Sequence, residues 1–217
     1  MEAKQTLGIY GGTFSPPHLG HVNAGLAFLR QLNLDRLLIM PARIPPHKPD
    51  AGIDPIHRLK MTELAFGNAP EYGKQLSVSD YEITLQAVSY TVNTLRHYHA
   101  QGYKLYFLCG TDMFLSLDRW REPESIFALC TIAYIRREDE SPEISRQIEE
   151  AKVRYREKFN AECVEIVSQP IEVSSSEIRA MLEAGKDASH LISTSVNDYI
   201  RANGLYMPAI EGGAHRV

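Results

Sequence analysis

A chain of 217 residues, 44% hydrophobic and 23% charged, has the composition of a folded domain with a core large enough to stand alone, which excludes disorder along its whole length. Its net charge of -4 excludes broad electrostatic binding to nucleic acid, which rests on many Lys and Arg contacts, but allows one small anion held by a few local donors. The three cysteines, Cys109, Cys130 and Cys163, form no Cys-x-x-Cys pair, and their odd, low number suits a reducing compartment.

The first six residues are short and polar, without the apolar stretch of a signal peptide. No run of about 18 apolar residues follows that could span a membrane, so a cytoplasmic protein with no membrane partner is expected. Strand-like sequence at 6–10 leads into Gly11-Gly12-Thr13-Phe14-Ser15-Pro16-Pro17-His18-Leu19-Gly20-His21. Val22, Leu26 and Leu29 then recur at helical spacing, which predicts a helix over about 22–32. A second strand is expected at 36–40. The stretch 42–53, with Pro45, Pro46 and Pro49, reads as a long surface loop of the kind that forms lids. Helix over 56–67, strand over 76–79, helix over 88–100 (Val88, Val92, Leu95) and strand over 104–109 follow. Beyond them come a strand at 131–135, a helix at 143–158 with Ile144, Ile148, Ala151 and Tyr155 on one face, and a strand at 163–167. Helices at 175–184 and 194–203 close the pattern, Gly204 reads as a helix C-cap, and residues 208–217 as a mobile tail. Strands alternating with helices imply an α/β fold: a mainly parallel sheet with helices on both faces, in one domain over 1–207 whose C-terminal part is helical from about 174. In such sheets ligands sit at the carboxyl ends of strands, and here the first strand ends at Gly11 and the fourth at Gly110.

Three segments carry chemistry. A strand, a glycine turn and a helix start form an anion site: Gly11 and Gly12 let the backbone approach a phosphate, and the helix N–H groups point at it. His18, before the helix, and His21, on its first turn, can reach the same charge from the side. No Gly-Lys-Ser/Thr follows the glycines and no Gly-x-Gly-x-x-Gly occurs, so neither a Walker loop nor a dinucleotide fingerprint is present. The histidines lack the Cys/His company of a metal site, and no protein-held metal is expected. In Val173-Ser174-Ser175-Ser176-Glu177-Ile178-Arg179, Ser174 and Glu177 stand as a capping box. Capping explains neither three serines in a row nor Arg179 on the second turn, which together could grip a polyphosphate. Asp112, after Gly110, could accept ribose hydroxyls or merely cap a helix. Trp120, the only tryptophan, sits among Asp118, Arg119, Arg121 and Glu122, which suits stacking on a planar ligand, while His97 and His99 read as solvated.

The first and second segments together resemble the signature pair of the His-x-Gly-His nucleotidyltransferases. Ile44-Pro45-Pro46-His47-Lys48, Ser89-Tyr90-Thr91, Gly110-Thr111-Asp112-Met113, Trp120 and Asn203-Gly204-Leu205-Tyr206 narrow the resemblance to the bacterial nicotinate-nucleotide adenylyltransferases, over about residues 7–206. The resemblance implies a Rossmann-like fold and transfer of AMP from ATP to the 5′-phosphate of nicotinate mononucleotide, with Mg²⁺ and release of pyrophosphate, in NAD biosynthesis. It implies catalytic roles for His18, His21 and Arg179. ATP would be bound by Gly11, Gly12, Thr13, Phe14, Gly20, Gly110, Asp112, Ser174, Ser175, Ser176 and Ile178, besides the catalytic three. The acceptor would meet Lys48, Ser89, Tyr90, Thr91, Asp112, Trp120 and Arg121. The partners implied are these two small molecules, with a homo-oligomer left open. This chain departs from the family in carrying Ser15 where Asp is usual and in lacking the Pro before Ser89. Another acceptor of the superfamily (nicotinamide mononucleotide, phosphopantetheine) and a nucleotide sensor without turnover are the alternatives.

Overall fold

The structure, a computed structural model, describes residues 4–46, 53–136, 141–168, 171 and 173–207. In chain order its elements are β1 (Thr6–Gly12), α1 (Leu19–Gln31), β2 (Arg36–Pro41), α2 (Pro55–Phe66), β3 (Leu76–Val78), α3 (Tyr81–Thr84), α4 (Thr91–His99) and β4 (Lys104–Gly110). Then come α5 (Thr111–Phe114), a 3-10 turn (Leu117–Arg119), α6 (Pro123–Leu129), β5 (Cys130–Ile135), α7 (Pro142–Phe159), β6 (Cys163–Ile166), α8 (Ser175–Glu183) and α9 (Thr194–Ala202). The six strands form one wholly parallel sheet in the order β3-β2-β1-β4-β5-β6. This is the doubly wound arrangement, whose direction of build reverses between β1 and β4.

At that reversal the sheet opens. Tyr10 and Leu108 are the last residues paired between β1 and β4. Beyond them Gly11 and Gly12 pair outward to Met40 and Pro41, and Cys109 and Gly110 outward to Tyr134 and Ile135. The two strand ends therefore splay apart and leave a crevice at the carboxyl edge.

Both sheet faces are covered, so successive strand residues enter different cores. Leu37 and Ile39 join Phe28, Met61, Phe66, Ile178, Val196 and Ile200 on the side of α1, α2, α8 and α9. Leu38 and Met40 join Val92, Leu95, Ile126, Ile148 and Tyr155 on the side of α4, α6 and α7. The C-terminal helices thus share a core with the N-terminal ones. Gly204, at φ +60°, closes α9: its N–H donates to the Arg201 carbonyl and that of Leu205 to the Ile200 carbonyl, as the sequence predicts for a glycine-ended helix.

Each expected strand is present within two residues of its predicted ends. The helix expected from 88 instead starts at Thr91, because Val88 is extended and bridges to Ile44. The short helices α3 and α6 have no counterpart in the sequence pattern, since elements of one or two turns carry no readable period, while α5 stands where a helix capped by Asp112 was one alternative. Among the described residues no helix is long and apolar enough to cross a membrane. The expected tail at 208–217 and half of the expected lid, residues 47–52 with Lys48, lie outside the described residues.

Candidate active site

Two adjoining cavities occupy the crevice. The larger, about 600 Å³, is lined by Gly11, Gly12, Thr13, Phe14, His18, Gly20, His21, Gly110, Asp112, Ser174, Ser175, Ser176 and Arg179. The smaller, about 290 Å³, is lined by Ser89, Tyr90, Thr91, Trp120 and Arg121, together with Glu82, Thr94, Phe107 and Arg119. Gly11, Gly12, Thr13 and Met113 line both, so the end of β1 and the loop after it form their common wall.

The two histidines build the start of α1 between them. His18 is its N-cap, with extended backbone, and its Nδ1 accepts from the His21 N–H at 3.3 Å. In return His21 Nδ1 accepts from the His18 N–H at 3.2 Å. This is a capping box made of imidazoles rather than of serine and glutamate. It also fixes the tautomers: with each Nδ1 accepting, the proton of each neutral ring resides on Nε2. The rings lie 3.6 Å apart between centroids, tilted by 31°, so both Nε2–H donors belong to one patch of the cavity wall. Gly20 makes room for this pair, since a Cβ there would stand 3.0 Å from His18 Nδ1. Gly12 has a different task from the one expected. A Cβ on it would lie 2.8 Å from the Phe14 ring, so its missing side chain seats that ring rather than only clearing space for a phosphate. Phe14, at φ +50°, is buried edge-on to His21.

Helix α8 approaches the same loop from the chain's other end. Ser174 and Glu177 form the predicted capping box. The remaining hydroxyls also have protein partners: Ser175 Oγ donates to the Pro16 carbonyl at 2.9 Å, and Ser176 Oγ accepts from Arg179 Nη2 at 3.1 Å. Arg179 Nη1 donates to the Ser15 carbonyl at 2.7 Å. The serines expected to hold phosphates therefore first hold the helix and its guanidinium against the histidine loop. Ile178 is the clear correction: it is fully buried in the core, because it lies on the apolar face of an amphipathic helix, and it touches neither cavity. Ser15 turns inward, its Oγ 3.0 Å from the Tyr206 hydroxyl, so at this position the side chain braces the loop. Burial pushes the Tyr206 phenol up to about 12, against the opposing pull of the Ser15 hydrogen bond and of Arg179 and Arg58.

In the smaller cavity Trp120 meets Phe107 edge-on at 6.2 Å, and its indole N–H donates to Ser116 Oγ. The Arg121 guanidinium lies over the Tyr90 ring at 4.6 Å. Glu82 is buried here and accepts from Thr94 Oγ1 at 2.6 Å. Burial raises its carboxyl above the ordinary range, while the Thr94 and Ser89 hydroxyls pull it back. Asp112, expected to serve both substrates, lines only the larger cavity; it sits inside the first turn of α5, whose N-cap is Gly110. His97 is exposed as expected but stacks on Tyr81 at 4.1 Å. Among the described residues no group of three or more His, Cys, Asp or Glu could hold a metal ion. The larger cavity instead gathers imidazoles, hydroxyls, a guanidinium and a helix N-terminus, a donor set suited to a polyphosphate.

A family model described as cytidylyltransferase-like matches residues 9–181. Over 212 residues the chain is 35% identical to the protein of Shewanella frigidimarina named "Probable nicotinate-nucleotide adenylyltransferase", covering 92% of this chain and 99% of that one. A protein of the same name from Carboxydothermus hydrogenoformans is 35% identical over 203 residues, covering 92% and 97%. Among solved structures, Plasmodium falciparum nicotinic acid mononucleotide adenylyltransferase complexed with NaAD superposes with a TM-score of 0.72 at 21% identity, covering 93% of this chain and 97% of that one, a likeness of fold.

Proposed function

The chain belongs to the cytidylyltransferase-like family and, within it, to the nicotinate-nucleotide adenylyltransferases, and from that premise we propose how its crevice performs the transfer. The protein transfers AMP from ATP to the 5′-phosphate of nicotinate mononucleotide. An oxygen of that phosphate attacks the α-phosphorus, the bond from it to the bridging oxygen breaks, and pyrophosphate leaves with the electron pair. The attacking group is already an anion, so no strong base is needed; alignment and charge neutralisation carry the rate.

In this reading the triphosphate lies in the larger cavity and the pyridine nucleotide in the smaller, meeting at the common wall of Gly11, Gly12 and Thr13. The Nε2–H groups of His18 and His21 donate to α-phosphate and bridging oxygens, where charge grows during transfer. Arg179 and the N–H groups at the start of α8 hold the β- and γ-phosphates, and Gly110 and Asp112 border the nucleoside. Trp120 stacks on the pyridine ring, with its carboxylate toward Ser89–Thr91 and Arg121 and Lys48 near the phosphate. A divalent ion such as Mg²⁺ would enter with the triphosphate and would neutralise phosphate charge, since the N–H donors of this cavity suit the phosphates rather than a cation and no group of three His, Cys, Asp or Glu among the described residues could hold one.

The observation that carries the reading is the pair of imidazoles, the Nδ1 of each held by the backbone N–H of the other, in the same cavity as Arg179. The test is pyrophosphate release from ATP and Mg²⁺ with a panel of acceptors. Nicotinate mononucleotide should give the highest kcat/KM, because a carboxylate gains more than a carboxamide from a cluster of donors. Equal values for the acid and amide forms refute the acceptor assignment, and no release with any acceptor refutes the transfer.

A further inference from the structure

Arg58, on α2, is the bulkiest of the fully buried side chains and belongs to neither cavity. Among the described residues it makes no salt bridge; its guanidinium instead spends its hydrogens on carbonyls. Nη1 donates to the Thr13 carbonyl at 2.8 Å, Nη2 to that of Arg43 at 2.8 Å, and Nε to that of Ile53 at 3.4 Å. A buried cation is costly even with the Coulombic support that Asp54 gives this one, and an apolar side chain of similar volume would ordinarily serve stability as well or better. The three carbonyls suggest what the cation does instead.

Thr13 lies in the wall common to both cavities. Arg43 leads to the acceptor side: its N–H donates to Ser89 Oγ at 2.9 Å, and the next carbonyl, that of Ile44, accepts from the Ser89 N–H at 3.0 Å. Arg43 Nη1 also donates to the Ile83 carbonyl at 2.8 Å, beside Glu82. One planar fork, whose N–H directions are fixed by the guanidinium itself, thus joins the Ala42 N–H bond to the Gly12 carbonyl at 2.9 Å in holding the loop that meets the nucleotide against the segment that lines the acceptor cavity. We propose that Arg58 is a positioning residue for in-line transfer, holding the two half-sites at the separation that aligns the acceptor phosphate with the α-phosphorus. It touches no substrate and acts through Thr13 and Arg43.

The proposal rests on the adenylyl-transfer reading, and its test keeps the two apart. Arg58→Lys keeps the charge without the fork, and Arg58→Met keeps the bulk without the charge. For each, kcat is measured by pyrophosphate release, and Kd for ATP and for nicotinate mononucleotide, each alone, by calorimetry. The expected result is a kcat about 10- to 100-fold lower, because misalignment of under an ångström suffices for that. Each separate Kd should stay within about threefold of wild type, since each half-site survives by itself. A kcat per folded molecule within about twofold of wild type in both variants overturns the proposal. So does a loss confined to either Kd, or failure of both variants to fold. A wild-type protein that releases no pyrophosphate refutes the transfer reading itself, and the proposal with it.

Discussion

Gly20→Ala tests whether the site depends on where the His18 ring lies. The added Cβ would stand 3.0 Å from His18 Nδ1, 3.1 Å from Cε1 and 3.4 Å from the Ile171 carbonyl oxygen. Ordinary contacts of such atoms lie nearer 3.5–4.0 Å, so the ring must retreat by about 0.5 Å. The bond from the His21 N–H to Nδ1 is already 3.3 Å long and would be lost. Losing that cap costs about 1 kcal/mol, while alanine in place of glycine in a helix returns up to about 1 kcal/mol. Stability should therefore barely change, whereas displacement of the Nε2 donor should lower kcat by about 10- to 100-fold. Calorimetric unfolding read beside pyrophosphate release separates the two effects. A folded Gly20→Ala protein with kcat within about twofold of wild type would show that the ring's seat is irrelevant to turnover.

Four further outcomes are expected. His18→Asn keeps a side-chain acceptor for the His21 N–H but has no Nε2, so it should lose about 10²–10³ in kcat while staying about 1 kcal/mol more stable to urea than His18→Ala; equal stabilities would deny the cap. Ser15→Ala strips the buried Tyr206 hydroxyl of its Ser15 contact and should cost about 1–2 kcal/mol in urea unfolding, with kcat per folded molecule little changed; a large kcat loss at full stability would place Ser15 in the chemistry instead. Because burial raises the Glu82 carboxyl above its ordinary 4.5, its neutral form favours folding at pH below 4.5 and that advantage is lost as pH rises through the raised value. Glu82→Gln should thus gain stability relative to wild type across that window in unfolding scans at several pH values, and a pH-independent difference would count against a strained carboxylate. Finally, with a single tryptophan in the smaller cavity, nicotinate mononucleotide should change the intrinsic fluorescence and ATP alone should leave it nearly unaltered; the reverse pattern would exchange the two cavities.

The sheet was legible because both of its faces are buried, so the strands read as short apolar runs between glycines and polar turns. The histidine loop was legible because glycines and imidazoles at that spacing have few other uses. Arg58 was not, since an arginine in an amphipathic helix looks like a surface residue until the carbonyls of Thr13, Arg43 and Ile53 converge on it. Glu82 was hidden for the same reason: only the fold brings Thr94 and Ser89 against it. Ile178 was misassigned because proximity to Arg179 in a motif says nothing about which face of the helix each occupies. Nor does the sequence show that the missing side chain of Gly12, which lines both cavities, also seats the ring two residues away.

The divided crevice has a consequence for how such proteins diversify. The larger cavity draws on chain segments near residues 10–21, 109–113 and 173–183, whereas the smaller draws mainly on 42–46, 82–95 and 107–126. Changes at 82–95 and 119–126 would therefore recut the smaller cavity while the lining of the larger one stays untouched. One engine can be fitted with many intakes, provided the short bend after the first strand remains rigid between them.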